Sequence, residues 1–118
     1  MINQKLKTKN LTLMQCTSEY PCPVNKIGLN VLNKFKKYNC VLGLSDHSLG
    51  IEASIAAVSI GAEIIEKHLT LDKRMKGPDH SSSIEPKEFE LMVKSIRSLE
   101  NNLGNIADPS IVETKDGK

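Results

Sequence analysis

The chain has 118 residues, 39% of them hydrophobic and 25% charged, a size and balance that fit one globular domain and exclude disorder for most of its length. Sixteen basic against 14 acidic residues give a net charge of +2 and, with only two Phe and two Tyr, neither a basic stripe nor a run of stacking aromatics, so no nucleic-acid partner is expected. No apolar run approaches the roughly 20 residues that span a bilayer, and Met1 to Asn10 is polar, so no membrane association is expected and the cytoplasm is the expected location.

Leu11 to Cys16 is a short, mostly apolar segment that predicts a strand. It runs into Thr17-Ser18-Glu19-Tyr20-Pro21-Cys22-Pro23, where two prolines stop any regular element. Asn25 can cap a helix in which Ile27, Val31, Phe35 and Tyr38 recur at helical spacing while Lys34, Lys36 and Lys37 face outward. Val41-Leu42-Gly43-Leu44 reads as a second strand, apolar as a strand buried on both faces should be. Ile51 to Gly61 predicts a well-buried helix with little polar surface, closed by Gly61 at a C-terminal capping position. Ala62 to Leu69 is the third strand. The polar connection from Thr70 to Glu85 is long for a compact domain, and loops of that length tend to carry function. Pro86 opens a last helix with one apolar stripe, Phe89, Met92, Val93, Ile96, Leu99 and Leu103, before Gly104. Asn105 to Lys118, poor in apolar residues, is expected to be a flexible tail.

Three strands alternating with three helices predict parallel βα units. A complete (β/α)8 barrel takes about 250 residues, so the chain could supply well under half of one; a small open α/β sheet satisfies the same pattern. In either arrangement a helical crossover brings consecutive strand ends side by side.

The strand ends carry the chemistry. His47 and His68 close the second and third strands, and neutral imidazole is a common metal ligand, so the pair can share one divalent ion such as Mn²⁺, Zn²⁺ or Fe²⁺. A lone strand-end histidine more often hydrogen-bonds a backbone group; two at equivalent positions favour the metal. Side chains alternate faces along a strand, so Ser18 pairs with Tyr20, Ser45 with His47 and Glu66 with His68 at the edge where parallel α/β folds bind ligands. Glu66 either orients His68 or pairs with a buried cation. Asp79 sits in a Gly77-Pro78 turn, where an aspartate commonly caps its own backbone, and His80 beside it is a possible third ligand. Lys67, Lys73, Arg74 and Lys76 form a basic cluster that either attracts an anion or is simply solvated, and the Ser18 and Ser45 hydroxyls suit a phosphate or carboxylate. Cys16, Cys22 and Cys40 are odd in number and lack metal or redox spacing, which predicts ordinary reduced thiols.

The strings Gln15-Cys16-Thr17-Ser18-Glu19-Tyr20-Pro21, Gly43-Leu44-Ser45-Asp46-His47-Ser48-Leu49-Gly50, Gly61 to Asp72 and Gly77-Pro78-Asp79-His80 resemble, in order, motifs of the sialic acid synthase family, which includes N-acetylneuraminate, legionaminate and pseudaminate synthases. The resemblance covers about residues 11 to 104 and implies the last three βα units of a TIM barrel, with residues 1–104 as a C-terminal barrel segment. It further implies a carbon-carbon bond-forming transferase that condenses phosphoenolpyruvate with an N-acetylated amino sugar such as N-acetylmannosamine, giving a nine-carbon 2-keto acid and phosphate. By resemblance His47 and His68 match the metal-binding histidines, usually described with Mn²⁺; Ser18 and Ser45 match positions near the phosphate; Tyr20 and Asp79 match residues at the sugar or the reacting centre. The Gly77 to Ser83 string is closer to the neuraminate and legionaminate branches than to the pseudaminate branch.

Departures from the family weigh as much. The first five βα units, with their phosphoenolpyruvate-gripping lysines, and the antifreeze-like domain that caps a partner's active site in homodimeric members have no counterpart in this sequence. The expectation is therefore a fragment or one piece of a split enzyme, inactive alone and in need of a complementing barrel segment. A non-catalytic α/β binding or assembly module derived from the same barrel is the alternative.

Overall fold

A computed structural model of the chain describes residues 11–104; the polar N-terminal stretch and the tail expected over residues 105–118 lie outside the described residues. The elements are β1 (Thr12–Cys16), α1 (Val31–Phe35), β2 (Val41–Asp46), α2 (Glu52–Ser59), β3 (Ala62–Lys67) and α3 (Pro86–Leu103). The strands form one parallel sheet in the order β1-β2-β3. Its register sets Cys16 beside Ser45 and Ser45 beside Glu66, so the C-terminal strand ends lie level.

Alternation decides which side of the sheet is covered. Leu42 and Leu44 of β2 meet Leu32 of α1, Ala53 and Ala57 of α2, and Ala62 of β3 in the core. Burying side chains of the size of Leu32 and Leu44 stabilises the fold by about 1.5–3 kcal/mol each. The intervening residues face the other way, where Cys16, Ile64 and Glu66 are exposed. Gly43 permits the strands to approach on that side: a Cβ there would lie 2.9 Å from the Ile64 carbonyl oxygen and 3.1 Å from Met14 Cγ. Helix α3 packs against α2 and buries Met92, while Phe89 and Leu103 of its apolar stripe remain exposed.

The first helix departs from expectation. Residues Val24–Lys26 form a single 3-10 turn, Gly28 adopts a positive φ of 71°, and Asn25 provides no side-chain cap. The break has a visible cause, since Gln15 Nε2 on β1 donates to the Ile27 carbonyl at 2.9 Å and would meet any Cβ at Gly28 at 2.8 Å. Helix α1 is therefore little more than one turn, extended by a 3-10 turn over Lys36–Tyr38. Strand β2 runs two residues past Leu44, to Asp46, while β3 stops at Lys67 and Leu69 makes only an isolated parallel bridge to Ile84.

That bridge closes the base of the connection from Thr70 to Glu85. The Thr70 amide donates to the Ile84 carbonyl at 2.9 Å, and the Ile84 amide to the His68 carbonyl at 3.0 Å. Pro86 opens α3, and Glu85 and Glu88 form a capping box at its start. Among the described residues, no helix is long and apolar enough to cross a membrane.

Candidate functional site

His47 and His68 are each the first residue beyond a strand, β2 and β3, and their ring centroids lie 5.5 Å apart. The loop after β1 brings Tyr20 against both, 4.4 Å from the His68 ring and 5.3 Å from that of His47. His47 Nδ1 lies 2.8 Å from the Thr17 carbonyl oxygen. A carbonyl only accepts, so Nδ1 carries a proton, which in the neutral ring leaves Nε2 its lone pair. Metal-ligating histidines show this arrangement, one ring nitrogen committed to an acceptor and the other left for the ion. His68 Nδ1 stands 3.7 Å from Asp79 Oδ2, so a carboxylate lies near the corresponding ring nitrogen of the second imidazole, just beyond hydrogen-bond reach. The two rings fit a divalent ion by donor chemistry. Among the described residues, no group of three His, Cys, Asp or Glu side chains forms a fuller cage.

Ser45 lies on the same side as His47, its Oγ 3.5 Å from His47 Nε2. The Ser45 hydroxyl donates to Glu66 Oε1 at 2.6 Å. Glu66 therefore neither orients His68 nor meets a buried cation; the register that aligns Ser45 with Glu66 hands the carboxylate a hydroxyl first. Tyr20 Oη lies 3.2 Å from Ser83 Oγ and 3.5 Å from the Asp79 carbonyl oxygen, to which the Ser83 hydroxyl also donates at 2.6 Å. The Tyr20 side chain is thus tied to the segment that carries Asp79. Ser18 is exposed in the loop after β1, and its hydroxyl joins none of these bonds. His80 turns away from the pair, its Nδ1 2.6 Å from Thr70 Oγ1.

The expected basic cluster does not form. The Lys67 side chain is 2% exposed, its ammonium 3.2 Å from Asp46 Oδ2, and it donates to the Ser48 carbonyl at 2.8 Å. It precedes His68 by one residue and so points to the helix-covered face. Lys73 pairs with Glu88 at 2.7 Å and Arg74 with Asp72 at 2.8 Å, leaving the segment with little free positive charge. Asp46, missed by the sequence reading, accepts from the Ser48 amide, from the Ser48 hydroxyl and, at 2.6 Å, from the Ser54 hydroxyl of α2. Burial alone would push its carboxyl up, but the Ser48 and Ser54 hydroxyls, the Ser48 amide and the Lys67 ammonium outweigh that and hold it below its ordinary value. The signal was present in sequence: Leu42, Leu44 and Asp46 share one parity, as do Ile65 and Lys67.

All three cysteines are free thiols, and burial pushes that of Cys22 up, away from nucleophile character. A groove of about 520 Å³ between Val24, Ile27, Leu49 and Ala53 includes neither histidine in its lining.

Similar proteins share this framework. The chain is 45% identical over 100 residues to the N,N'-diacetyllegionaminic acid synthase of Campylobacter jejuni, covering 84% of this chain and 30% of that protein. It is 43% identical over 98 residues to the N-acetylneuraminate-9-phosphate synthase of Homo sapiens, covering 81% and 27%. The crystal structure of the N-acetylneuraminic acid (sialic acid) synthetase of Leptospira borgpetersenii, in complex with citrate, superimposes with a TM-score of 0.81 at 37% identity, over 89% of this chain and 38% of that one. The chain thus spans about three tenths of the curated relatives it matches, and its parallel βα units correspond to part of a TIM barrel. The NeuB family model matches residues 1–108, and the chain belongs to the NeuB family.

Proposed function

We propose that the chain supplies the metal-holding wall of a cytoplasmic, phosphoenolpyruvate-dependent sialic or legionaminic acid synthase. The observation that carries this reading is the pair of imidazoles at the ends of adjacent parallel strands, with His47 Nδ1 committed to the Thr17 carbonyl. His47 and His68 would hold a divalent cation, Mn²⁺ by family resemblance. Bound there, it would supply Lewis-acid polarisation of the aldehyde of an N-acetylated amino sugar.

The remaining roles belong to side chains around the pair. Asp79, beside His68 and fixed through Ser83 to Tyr20, is suited to hold a sugar hydroxyl and orient the acceptor. Tyr20 packs on both imidazoles and limits the side from which a substrate reaches them. Ser45, between His47 and Glu66, is suited to a phosphate oxygen once its hydroxyl turns from Glu66 Oε1, and Ser18 can join it from the loop after β1. C3 of phosphoenolpyruvate attacks the aldehyde carbon, water adds at C2, and inorganic phosphate leaves.

The chain supplies one wall of such a site, so it is expected to be inactive alone and to need a complementing barrel segment; full-length relatives are expected to work as homodimers. The test is phosphate release from phosphoenolpyruvate and N-acetylmannosamine with Mn²⁺. No turnover by the purified chain is expected, and robust turnover would overturn the claim of inactivity. A non-catalytic assembly module is the second reading, favoured by the uncovered sheet face at Ile64 and Glu66. Mn²⁺ titration separates the two: if His47→Ala and His68→Ala bind the ion as the unaltered chain does, the metal-holding reading fails.

A further inference from the structure

The last rung of the β2–β3 ladder is Asp46 opposite Lys67. The same two residues make the buried ion pair, at 3.2 Å. His47 and His68 follow them directly, so the candidate ligands project from just beyond the point where strand pairing ends. No ladder hydrogen bond remains there to set the separation of the two backbones.

The polar network takes over from the ladder. Asp46 is tied forward to the Ser48 amide and hydroxyl, and sideways to Ser54 on α2. Lys67 crosses from β3 to the carbonyl of Ser48, one residue past His47. His47 is thus bracketed by fixed residues on both sides, and its own carbonyl accepts from the Cys22 amide at 2.8 Å. None of Asp46, Ser48, Ser54 or Lys67 needs to contact an ion to matter for it. Packing alone does not call for charge at this depth, because well-packed apolar residues of the same volume replace buried ion pairs at little or no cost in stability. Ionic and hydrogen-bonded groups differ from apolar ones in fixing direction and register.

We propose that the Asp46–Lys67 pair, with Ser48 and Ser54, is a positioning device that sets the separation of His47 and His68 and thereby the affinity of the two imidazoles for one divalent cation. This inference rests on reading the histidines as ligands, and the experiment keeps the two claims apart.

The probe is Co²⁺ added to the 118-residue chain, followed by its visible absorption, beside nuclear Overhauser contacts between the His47 and His68 rings recorded without metal. The informative variant is Asp46→Asn with Lys67→Met, which removes both charges together; Ser54→Ala, which leaves both charges in place, is the milder second probe. With circular dichroism unchanged, the double variant is expected to lose affinity for Co²⁺ by about tenfold or more, the range typical of groups that orient metal ligands, and to weaken the inter-ring contacts. Ser54→Ala should move both readouts in the same direction by less. A folded double variant, or a folded Ser54→Ala chain if the double variant does not fold, with unaltered Co²⁺ affinity and unaltered ring contacts overturns the positioning role. If the unaltered chain takes up no Co²⁺, the ligand reading fails instead, and the ring contacts alone decide whether the pair sets the geometry.

Discussion

The Asp46–Lys67 pair also makes a prediction about stability, readable without any ligand. At 3.2 Å and an effective dielectric of about 20, the two charges attract by about 5 kcal/mol, an attraction that offsets the cost of dehydrating both groups. With side chains 2% and 0% exposed, neither can regain water when the other is removed. Lys67→Met alone leaves a buried carboxylate still held by Ser48 and Ser54, and Asp46→Asn alone leaves a buried ammonium with only the Ser48 carbonyl. Each single change is expected to cost about 3–5 kcal/mol, with Asp46→Asn the more severe. The double change removes both charges and should cost only about 1–2 kcal/mol, mainly the lost hydrogen bond to Ser48. Against a typical total of about 5–15 kcal/mol, either single change takes a large part of the stability. Urea unfolding of the four chains at constant pH gives the coupling energy. Single costs below about 1 kcal/mol, or a double variant as unstable as the sum of the singles, would refute the reasoning.

Four further outcomes are expected. His47→Ala and His68→Ala should each weaken Mn²⁺ binding by at least about tenfold, measured by electron paramagnetic resonance of the free ion. Leu44→Ala, at a position 1% exposed in the core, should destabilise the chain by about 2–5 kcal/mol in urea. The Lys73 ammonium holds the Glu88 carboxyl below its ordinary 4.5 despite opposing partial burial, with the Glu85 amide assisting, so this contribution to stability is present above that value and is lost as pH falls through the depressed one. Acid titration of the urea midpoint should accordingly fall less steeply in Glu88→Gln than in the unaltered chain. Ile64→Lys places a charge on the uncovered sheet face, 42% exposed, and should reduce self-association in size-exclusion chromatography at little cost in stability.

Much of the fold was legible because strands and helices differ in period: the three strands, the Ile51 helix and the Pro86 helix follow from apolar spacing and the residues that cap them. The Ile27 to Tyr38 stripe misled, because spacing carries no information about the Gln15 side chain that reaches across from β1 to hold the chain open at Gly28. Face parity brought His47 together with Ser45, and the helical crossover between parallel strands set His68 close to His47. The parity that Lys67 shares with Ile65 went unused, because a lysine near Lys73 and Arg74 reads as part of a basic cluster until a buried carboxylate is recognised opposite it. Glu66 was misjudged for a related reason: its partner lies across the ladder, at a register that no single strand reveals.

The Leu69–Ile84 bridge closes the connection between β3 and α3 into one loop whose two arms differ in tolerance to change. Asp79 is fixed from its C-terminal side, through the turn over His80–Ser82, the bonds of Ser83 and the buried Ile84. The outer part, with Leu71, Arg74, Met75 and Lys76 all exposed, spans the remainder without setting that position. Length differences between related chains should therefore collect between Leu71 and Lys76, whereas the five residues from Asp79 to Ser83 should keep a constant length. A protease that cuts after Arg74 or Lys76 would leave the aspartate on the side of the nick that remains anchored to α3.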